Sequence, residues 1–502
     1  MAKLCICLTS KTLARDLEIL DKYRKYVDLA ELRVDCLEAD ERLHIRRFPT
    51  MAGLPLILTI RREADGGHFT GGEGNRISLF SRALAFAQTD RRHNFAFVDL
   101  EDCLDMPNIE EAVRTFGTRI IRSKHNINGV GEDLVTQIRS LRRVGDELVK
   151  LAVTPHSTED MLKVLIAAKQ TADMDKIIVC MGPFGAPSRI LAEQFGSQIS
   201  YASAKGEPDS PIAAPGQFDP QELAELFRFR SITPQTRIFG ITGFPLKTTL
   251  SPPFFNAAFK FENLDAVYVP FQTDSIEAFL KLAGELGIEG VSVTIPHKEA
   301  VLPYLSSAAK EVKSIGACNT IVRSPEGWDG FNTDAPGFSG SLLDFIGKKN
   351  FKGKRITIVG AGGAARSVAS EVFRLGGKAL ILNRTELRAR DLAEQYNFAW
   401  RRLDSKGIDL IKKYADIIIQ TTSVGMIGYE EHDPLELYRF SGFEVVMDLV
   451  YKPERTLLLK RASEAGCRVL NGFDMLMRQA QLQYSHFLGV DFPYHLMSRI
   501  KF

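Results

Sequence analysis

The sequence predicts an α/β protein in two halves: an eight-stranded β/α barrel, then a second unit ending in a parallel sheet with a nucleotide-cradling turn. Three observations carry this. Eight short apolar runs alternate with helix-period stretches through about the first 205 residues. Farther on, the strand-like RITIVG leads into AGGAARSVASEVFRLG and a second strand-like run, KALILNRT. The chain has 502 residues, 45% hydrophobic and 25% charged, which is ordinary globular composition and enough for about three domains.

Barrel strands are expected at 4–9 (LCICLT), 29–35 (LAELRVD), 55–61 (PLILTIR), 95–101 (FAFVDLE), 119–125 (RIIRSKH), 148–154 (LVKLAVT), 176–182 (KIIVCMG) and 199–203 (ISYAS). Eight such units in this length make the short form of the TIM barrel. Alternation in LAELRVD puts Glu31, Arg33 and Asp35 on one face and Leu32 and Val34 on the other. The aliphatics then face the helices and the charges the barrel interior. Charges gather toward strand C-termini at Arg33, Arg61, Glu101 and His125, the end where such barrels place their chemistry. AKGEPDSPIAAPGQ reads as a mobile loop over the mouth, QELAELFRF as a closing helix and SITPQT as a linker.

Beyond the linker, RIFGITGFP, AVYVPF, GVSVTIPHK and NTIVR read as strands and IEAFLKLAGEL as a helix. DIIIQTT and EVVMDLV extend the later parallel sheet, and FDMLMRQAQLQYSHFLG is a helix expected to pack back on the preceding α/β unit. The expected divisions are a barrel at 1–229, a linker at 230–236, an α/β domain at 237–340, a Rossmann-type domain at 341–471 and a helical segment at 472–502.

With 64 Lys+Arg against 62 Asp+Glu, the net charge of +2 gives no field favouring nucleic acid or anionic membrane, so small molecules are the expected partners. Seven scattered cysteines suit neither a disulfide framework nor a zinc site. That implies a reducing compartment and no metal. No run approaches the ~20 apolar residues of a membrane span, and MAKLCICLTS is too short for a secretory signal. A cytoplasmic protein is expected, or an organellar one whose transit peptide precedes this numbering.

The run GAGGAA, formed by Gly360, Ala361, Gly362, Gly363, Ala364 and Ala365, opens a helix after a strand, the context of a pyrophosphate cradle. Ala365 stands at the third glycine position, which serves close helix packing and tolerates a methyl group. At the end of the next strand, where NAD binders place an acid, the chain has Asn383, Arg384 and Thr385, then Arg388. Guanidinium groups there pair with a 2′-phosphate, so NADP is favoured over NAD. Lys298 in TIPHKE, Asp334 in FNTD, Asn319 in GACNT and Ser251 in TTLSPPFFN form a polar set suited to a small hydroxylated substrate. Lys298 and Asp334 at hydrogen-bonding distance would hold a proton for a carbonyl oxygen that becomes an alkoxide.

In the barrel, Lys150 interrupts the aliphatic strand ELVKLAVTP with no acid close behind it. Its inward neighbours Leu148 and Ala152 are expected to leave the amine partly desolvated, exposing a nucleophilic lone pair. His125, one strand earlier, is the matching proton carrier, with Glu31 orienting its ring.

The motifs also resemble known families. ELRVD, LTIRREADGG, SKHN, VKLAVTP, MGPFGAPSR and APGQ resemble type I 3-dehydroquinate dehydratase; GFPLKTTLSP, TIPHKE, GACNT, FNTD, GAGGAAR, NRT and NGFDMLMRQA resemble shikimate dehydrogenase. In this order they resemble the bifunctional enzymes of plants and some bacteria. The resemblance implies that Lys150 forms a Schiff base, that His125 is the general acid/base and that Glu31 orients it. It places Arg33, Arg61, Met181, Arg189 and Gln217 around 3-dehydroquinate, with Arg189 at the substrate carboxylate. It makes Lys298 and Asp334 the catalytic pair for NADPH reduction of 3-dehydroshikimate to shikimate. Thr249, Ser251, Thr294, Asn319, Tyr451 and Gln479 then fall at substrate-contacting positions. Family barrels can be dimeric, so a monomer or homodimer is implied.

Three departures stand out. Ala213 replaces a serine before APGQ, its hydrogen bond lost or supplied by Ser210. Asp65 replaces a glutamate, and Lys247, Thr248 and Thr249 alter the segment before Ser251. Two alternatives stay open: a non-catalytic barrel beside a working dehydrogenase, and a redox half that prefers quinate.

Overall fold

The computed structural model describes residues 1–84, 90–246, 249–497 and 500, the side chains of Arg91 and Tyr494 excepted. The chain divides into two compact units, the first built from residues 1–288 and the second beginning at Glu289.

In the first unit, eight parallel strands run β1 (Lys3–Leu8), β2 (Leu29–Arg33), β3 (Leu56–Thr59), β4 (Phe97–Glu101), β5 (Arg119–Asn126), β6 (Leu148–Val153), β7 (Lys176–Cys180) and β8 (Ile199–Ser203). They pair in the order β7-β6-β5-β4-β3-β2-β1-β8. The Gln198 amide donates to the Lys176 carbonyl at 2.9 Å and brings the two ends of the row together. Nearly every strand residue is buried, as expected when helices cover the outside and side chains fill the inside.

The period of two along each strand stacks the interior in layers. Cys5, Leu29, Ile57, Ile121, Leu148, Ile177 and Ile199 belong to one buried apolar cluster at the strands' N-terminal end. Burying an aliphatic side chain there contributes roughly 1.5–3 kcal/mol. Two residues farther along, the inward positions become Cys7, Glu31, Thr59, Asp99, Ser123, Lys150, Val179 and Tyr201. An apolar floor thus carries a polar layer. Register aligns Ser123 with Lys150 and His125 with Ala152.

Covering helices follow their sequence signals. Thr158–Gln170 begins at Ser157, whose side chain accepts from the Asp160 amide, and it buries Met161, Val164, Leu165 and Ala168. The segment expected as a closing helix instead forms a π-helical turn at Glu222–Leu226 and a 3₁₀ turn at Phe229–Ser231. Arg228 stands between them with φ +51°, a left-handed conformation that an unbroken helix does not accommodate. The mouth loop is anchored where Gly216 (φ +78°) passes the β7 loop; a Cβ at Gly216 would lie 2.6 Å from the Gly182 carbonyl oxygen. The parallel pair β9 (Arg237–Gly243) and β10 (Ala266–Gln272) completes this unit's strands.

The second unit begins with β11 (Ile288–Val293), β12 (Ser307–Ala308), β13 (Thr320–Ser324) and β14 (Gly327–Phe331). β13 lies antiparallel to both β11 and β14. The Rossmann-type sheet follows: β15 (Arg355–Val359), β16 (Lys378–Asn383), β17 (Ala399–Arg402), β18 (Ile417–Gln420), β19 (Val445–Asp448) and β20 (Arg468–Leu470). Its order is β17-β16-β15-β18-β19-β20. Alternate residues serve the two faces, with Ile356, Ile358, Ile381 and Ile419 in one core and Val359, Leu380, Leu382 and Ile418 in the other. The helix Phe473–Leu488 packs against Asp334–Ile346. Among the described residues no helix is long and apolar enough to cross a membrane.

Candidate functional sites

At the C-terminal end of the barrel, above the polar layer, lies a cavity of about 300 Å³. It is lined by Glu31, Arg33, Arg61, His125, Lys150, Met181, Tyr201 and Gln217, so the structure brings together the barrel residues singled out from the sequence except Arg189, which is not in the lining and bonds the carbonyls of the lining residues Tyr201 and Pro215.

Lys150 is buried, but not among aliphatics alone. Its Nζ donates to Asp99 Oδ2 at 2.9 Å, lies 3.6 Å from Glu31 Oε1 and sits 4.3 Å from the Tyr201 ring centroid. The expectation of an amine exposed simply by apolar desolvation is corrected here, because carboxylates reach it from β2 and β4. Burial would raise the Asp99 carboxyl, yet the Arg61 and Lys150 charges hold it well below the usual carboxylate range. Ser123 Oγ adds a 2.5 Å hydrogen bond to its other oxygen.

His125 is buried, and burial together with the Arg61 and Lys150 charges pushes its imidazole well below its ordinary value. The ring is therefore neutral, and its Nδ1 has no hydrogen-bond partner among the described residues. Glu31 does not orient it. That carboxylate accepts from Thr59 Oγ1 at 2.9 Å and from Cys7 Sγ at 3.2 Å. Glu31 on β2 instead approaches Lys150 on β6 across the barrel interior, at 3.6 Å.

The arginines differ in what neutralises them. Arg33 makes two bonds to Asp35, at 3.0 and 2.7 Å. Arg61 reaches Asp99 at 2.8 Å and Glu101 at 2.7 Å. Arg189, 2% exposed, has no carboxylate partner among the described residues. It donates only to the carbonyls of Tyr201 at 3.2 Å and Pro215 at 3.4 Å, and its Nε has no partner. Burial pushes this guanidinium down to about 10. A buried cation without a counter-ion calls for an anionic ligand.

Gln217 donates to Cys7 Sγ at 3.5 Å and accepts from Ser203 Oγ. Ala213 and Asp65 both line the cavity, and Asp65 is held by Arg62 at 2.7 Å. Ser210 does not stand in for the missing serine hydroxyl: its Oγ bonds Thr9 Oγ1 at 3.0 Å, away from the cavity lining. Asp99 and Tyr201 were missed as site residues, although each sits at an inward position of its strand.

In the first unit, Thr249 Oγ1 donates to Ser251 Oγ at 3.3 Å and accepts from the Ser251 amide at 3.2 Å. Lys247 and Thr248 lie outside the described residues.

In the second unit, Lys298 Nζ donates to Asp334 Oδ2 at 2.5 Å. Asn319 Nδ2 reaches Asp334 Oδ1 and Thr333 Oγ1, both at 2.9 Å, and Gln479 Oε1 at 3.4 Å. Four of the expected residues thus meet at the starts of two helices and one face of a third. Thr294 and Tyr451 are half-buried on the segments after β11 and β19.

The glycine-rich turn fits a dinucleotide. Gly360 has φ +117°, and a Cβ there would lie 2.3 Å from Thr421 Oγ1; above Gly362 the space is open. The helix Gly363–Arg374 points its unpaired N-terminal amides toward that space. Ala361 and Ala365 are buried in the core, while Gly363 and Ala364 are half-buried. A Cβ on Gly363 would lie 3.1 Å from Lys298 Cδ, so the turn packs on the Lys298 stem. Asn383 Nδ2 donates to the Thr385 carbonyl at 2.9 Å, and Arg384, Thr385 and Arg388 are exposed. Among the described residues no cluster of His, Cys, Asp or Glu is arranged to hold a metal.

A barrel with a buried lysine at its mouth, joined to an α/β dehydrogenase with a lysine–aspartate pair beside its nucleotide turn, defines a two-site enzyme. Residues 4–234 match the family described as Type I 3-dehydroquinase. Residues 241–321 match the shikimate dehydrogenase substrate binding domain, and 345–432 the Shikimate / quinate 5-dehydrogenase family. The chain is 30% identical over 494 residues to the bifunctional 3-dehydroquinate dehydratase/shikimate dehydrogenase, chloroplastic, of Arabidopsis thaliana, covering 94% of this chain and 79% of that protein. It is 37% identical over 276 residues to the shikimate dehydrogenase (NADP(+)) of Carboxydothermus hydrogenoformans, covering 53% of this chain and 97% of that protein. The solved shikimate dehydrogenase from Aquifex aeolicus is 34% identical, with a TM-score of 0.49 over 53% of this chain and 98% of its own. The chain belongs to the bifunctional 3-dehydroquinate dehydratase/shikimate dehydrogenase family.

Proposed function

We propose that this chain dehydrates 3-dehydroquinate to 3-dehydroshikimate in its barrel and reduces that product to shikimate with NADPH in its second half, two consecutive steps of the shikimate pathway. The observation that carries the first activity is the Lys150 amine in a cavity at the barrel mouth that His125 also lines, with the unneutralised Arg189 bonded to the carbonyls of the lining residues Tyr201 and Pro215.

In the dehydratase reaction, Arg189 holds the substrate carboxylate, and Lys150 as a free amine adds to the ketone carbon. Loss of water gives an iminium, whose positive charge draws electrons from the adjacent C–H bond. His125, already neutral, takes that proton. The electron pair forms the new C=C bond as the β-hydroxyl leaves, protonated by the imidazolium, as water. Hydrolysis of the iminium returns the Lys150 amine and releases the enone. Asp99 and Glu31 balance the cation throughout.

For the second step, Gly360 to Ala365 would hold the pyrophosphate of NADP, and Asn383, Arg384, Thr385 and Arg388 its adenosine 2′-phosphate. The bound cofactor supplies a hydride. Lys298 gives a proton to the substrate oxygen, with Asp334 fixing the ammonium and Asn319 fixing Asp334. Thr294, Tyr451 and Gln479 are the remaining substrate-contacting candidates of the second unit, and Thr249 and Ser251 are those carried by the first. Relatives named shikimate dehydrogenase (NADP(+)) support the cofactor.

The work divides into 1–229 for dehydration, 230–236 as linker, 237–340 for shikimate, 341–471 for NADP and 472–502 as a helical segment. All seven cysteines are free, which supports a reducing, cytoplasmic setting. A coupled assay supplying dehydroquinate and NADPH tests the whole reading: shikimate should form. In Lys150→Ala, dehydroshikimate should still be reduced but dehydroquinate should accumulate; unchanged dehydration in that variant would remove the barrel from the chemistry. Turnover of quinate beside shikimate settles the preferred redox substrate.

A further inference from the structure

The helix Glu73–Leu84 presents Arg76, Phe80, Ala83 and Leu84 as its buried stripe. The first position of an apolar i, i+4, i+7, i+8 face is thus an arginine with no exposed surface. Its Nη2 bonds Glu101 Oε2 at 2.7 Å, its Nε lies 3.2 Å from the half-exposed Glu73 carboxylate, and its Nη1 has no hydrogen-bond partner among the described residues. The other oxygen of Glu101 holds Arg61 Nη1 at 2.7 Å, while Arg61 Nη2 reaches Asp99 Oδ2 at 2.8 Å. That same Asp99 oxygen receives Lys150 Nζ at 2.9 Å. A buried row of alternating charges therefore runs from the covering helix to the reactive amine: Arg76, Glu101, Arg61, Asp99, Lys150.

From this row we infer that Arg76 is a positioning residue for the dehydratase step, setting how tightly Asp99 holds Lys150. The inference rests on the dehydratase reading above. One carboxylate oxygen is divided between Arg61 and Lys150, so a firmer Arg61 claim loosens the lysine. With Arg76 in place, Glu101 has two guanidinium partners and Arg61 is shared toward Asp99. Without it, Glu101 has Arg61 alone, Arg61 is drawn toward Glu101, and Asp99 closes on the ammonium. The Lys150 side chain is then held more tightly by Asp99 and is less free to add to the ketone.

The test compares wild type, Arg76→Met, Arg76→Lys and the shape-conserving Glu101→Gln by steady-state dehydration across pH, with NADPH-dependent reduction of dehydroshikimate as an internal control on each preparation. Arg76→Met should lower dehydratase kcat about tenfold or more, keep KM within roughly threefold, and move the acid limb of kcat up by about one pH unit. Arg76→Lys should recover part of the rate. Glu101→Gln supplies a second reading of the row if Arg76→Met does not fold; it leaves Arg61 to Asp99 and should move the same limb the opposite way. A wild-type kcat and pH profile in Arg76→Met, or an unmoved limb in Glu101→Gln, would overturn the inference. A wild type inactive on dehydroquinate would instead overturn the reading beneath it.

Discussion

Replacing Arg189 by methionine should make the ligand-free protein more stable and the dehydratase worse at the same time. The guanidinium is buried, its two bonds to carbonyls are long at 3.2 and 3.4 Å, and no carboxylate among the described residues neutralises it. Burial pushes it down to about 10 from an ordinary value near 12.5. At ~1.4 kcal/mol per pH unit, that burial costs the fold roughly 3 kcal/mol at neutral pH. The sign follows from a lowered cation: the cost is fully present below about pH 10 and fades as pH rises above it. Methionine fills similar volume without the charge, so Arg189→Met should stabilise the protein by about 1–3 kcal/mol, a rise of roughly 4–8 °C at 2 kcal/mol for a barrel of this size. Losing the charged hydrogen bonds to the substrate carboxylate should raise KM for dehydroquinate about 100-fold or more. Thermal unfolding without ligand and steady-state kinetics read the two effects. A destabilised variant, or one with an unchanged KM, would refute the idea that this cation waits for an anion.

Lys298→Met and Asp334→Asn should each lower shikimate dehydrogenase kcat by about 10²–10⁴-fold while dehydration in the same preparation stays at the wild-type rate. Arg384→Ala and Arg388→Ala should weaken binding of adenosine 2′,5′-bisphosphate about tenfold each and leave 5′-AMP binding nearly unchanged, as read by calorimetry. Asp16→Asn should stabilise the protein at pH 8 but not at pH 4. Burial pushes the Asp16 carboxyl up to about 7, and its Oδ2 has no partner among the described residues. Between the unfolded and folded values the folded state binds more protons, so stability falls as pH rises through about 4 to 7. The variant escapes that loss, worth at most about 4 kcal/mol by denaturant unfolding.

Much of the fold was legible because both halves repeat one pattern, an apolar strand followed by an amphipathic helix. All eight barrel strands and the turn at Gly360 announce themselves locally. Partnership across strands does not. Lys150 looks unaccompanied in ELVKLAVTP because its carboxylates stand 51 and 119 positions earlier, on strands brought near only by barrel closure. Period-two alternation in FVDLE already put Asp99 and Glu101 on the same inward face, a signal that would have found Asp99. Glu31 shows the converse: its inward position was readable, but whether it met His125 or Lys150 depended on register. Arg76 at the head of an otherwise apolar helical stripe was a legible anomaly. The irregular ending of QELAELFRF was not, since its helical period is sound and the break at Arg228 comes from that residue's left-handed backbone.

The central claim is that Lys150 bonds covalently to the substrate ketone. Borohydride added during turnover of dehydroquinate should fix the reduced adduct, and peptide mass analysis should find its added mass on the segment carrying Lys150 and nowhere else. Full dehydratase turnover with that segment unmodified, or the adduct on a different lysine, would contradict the account.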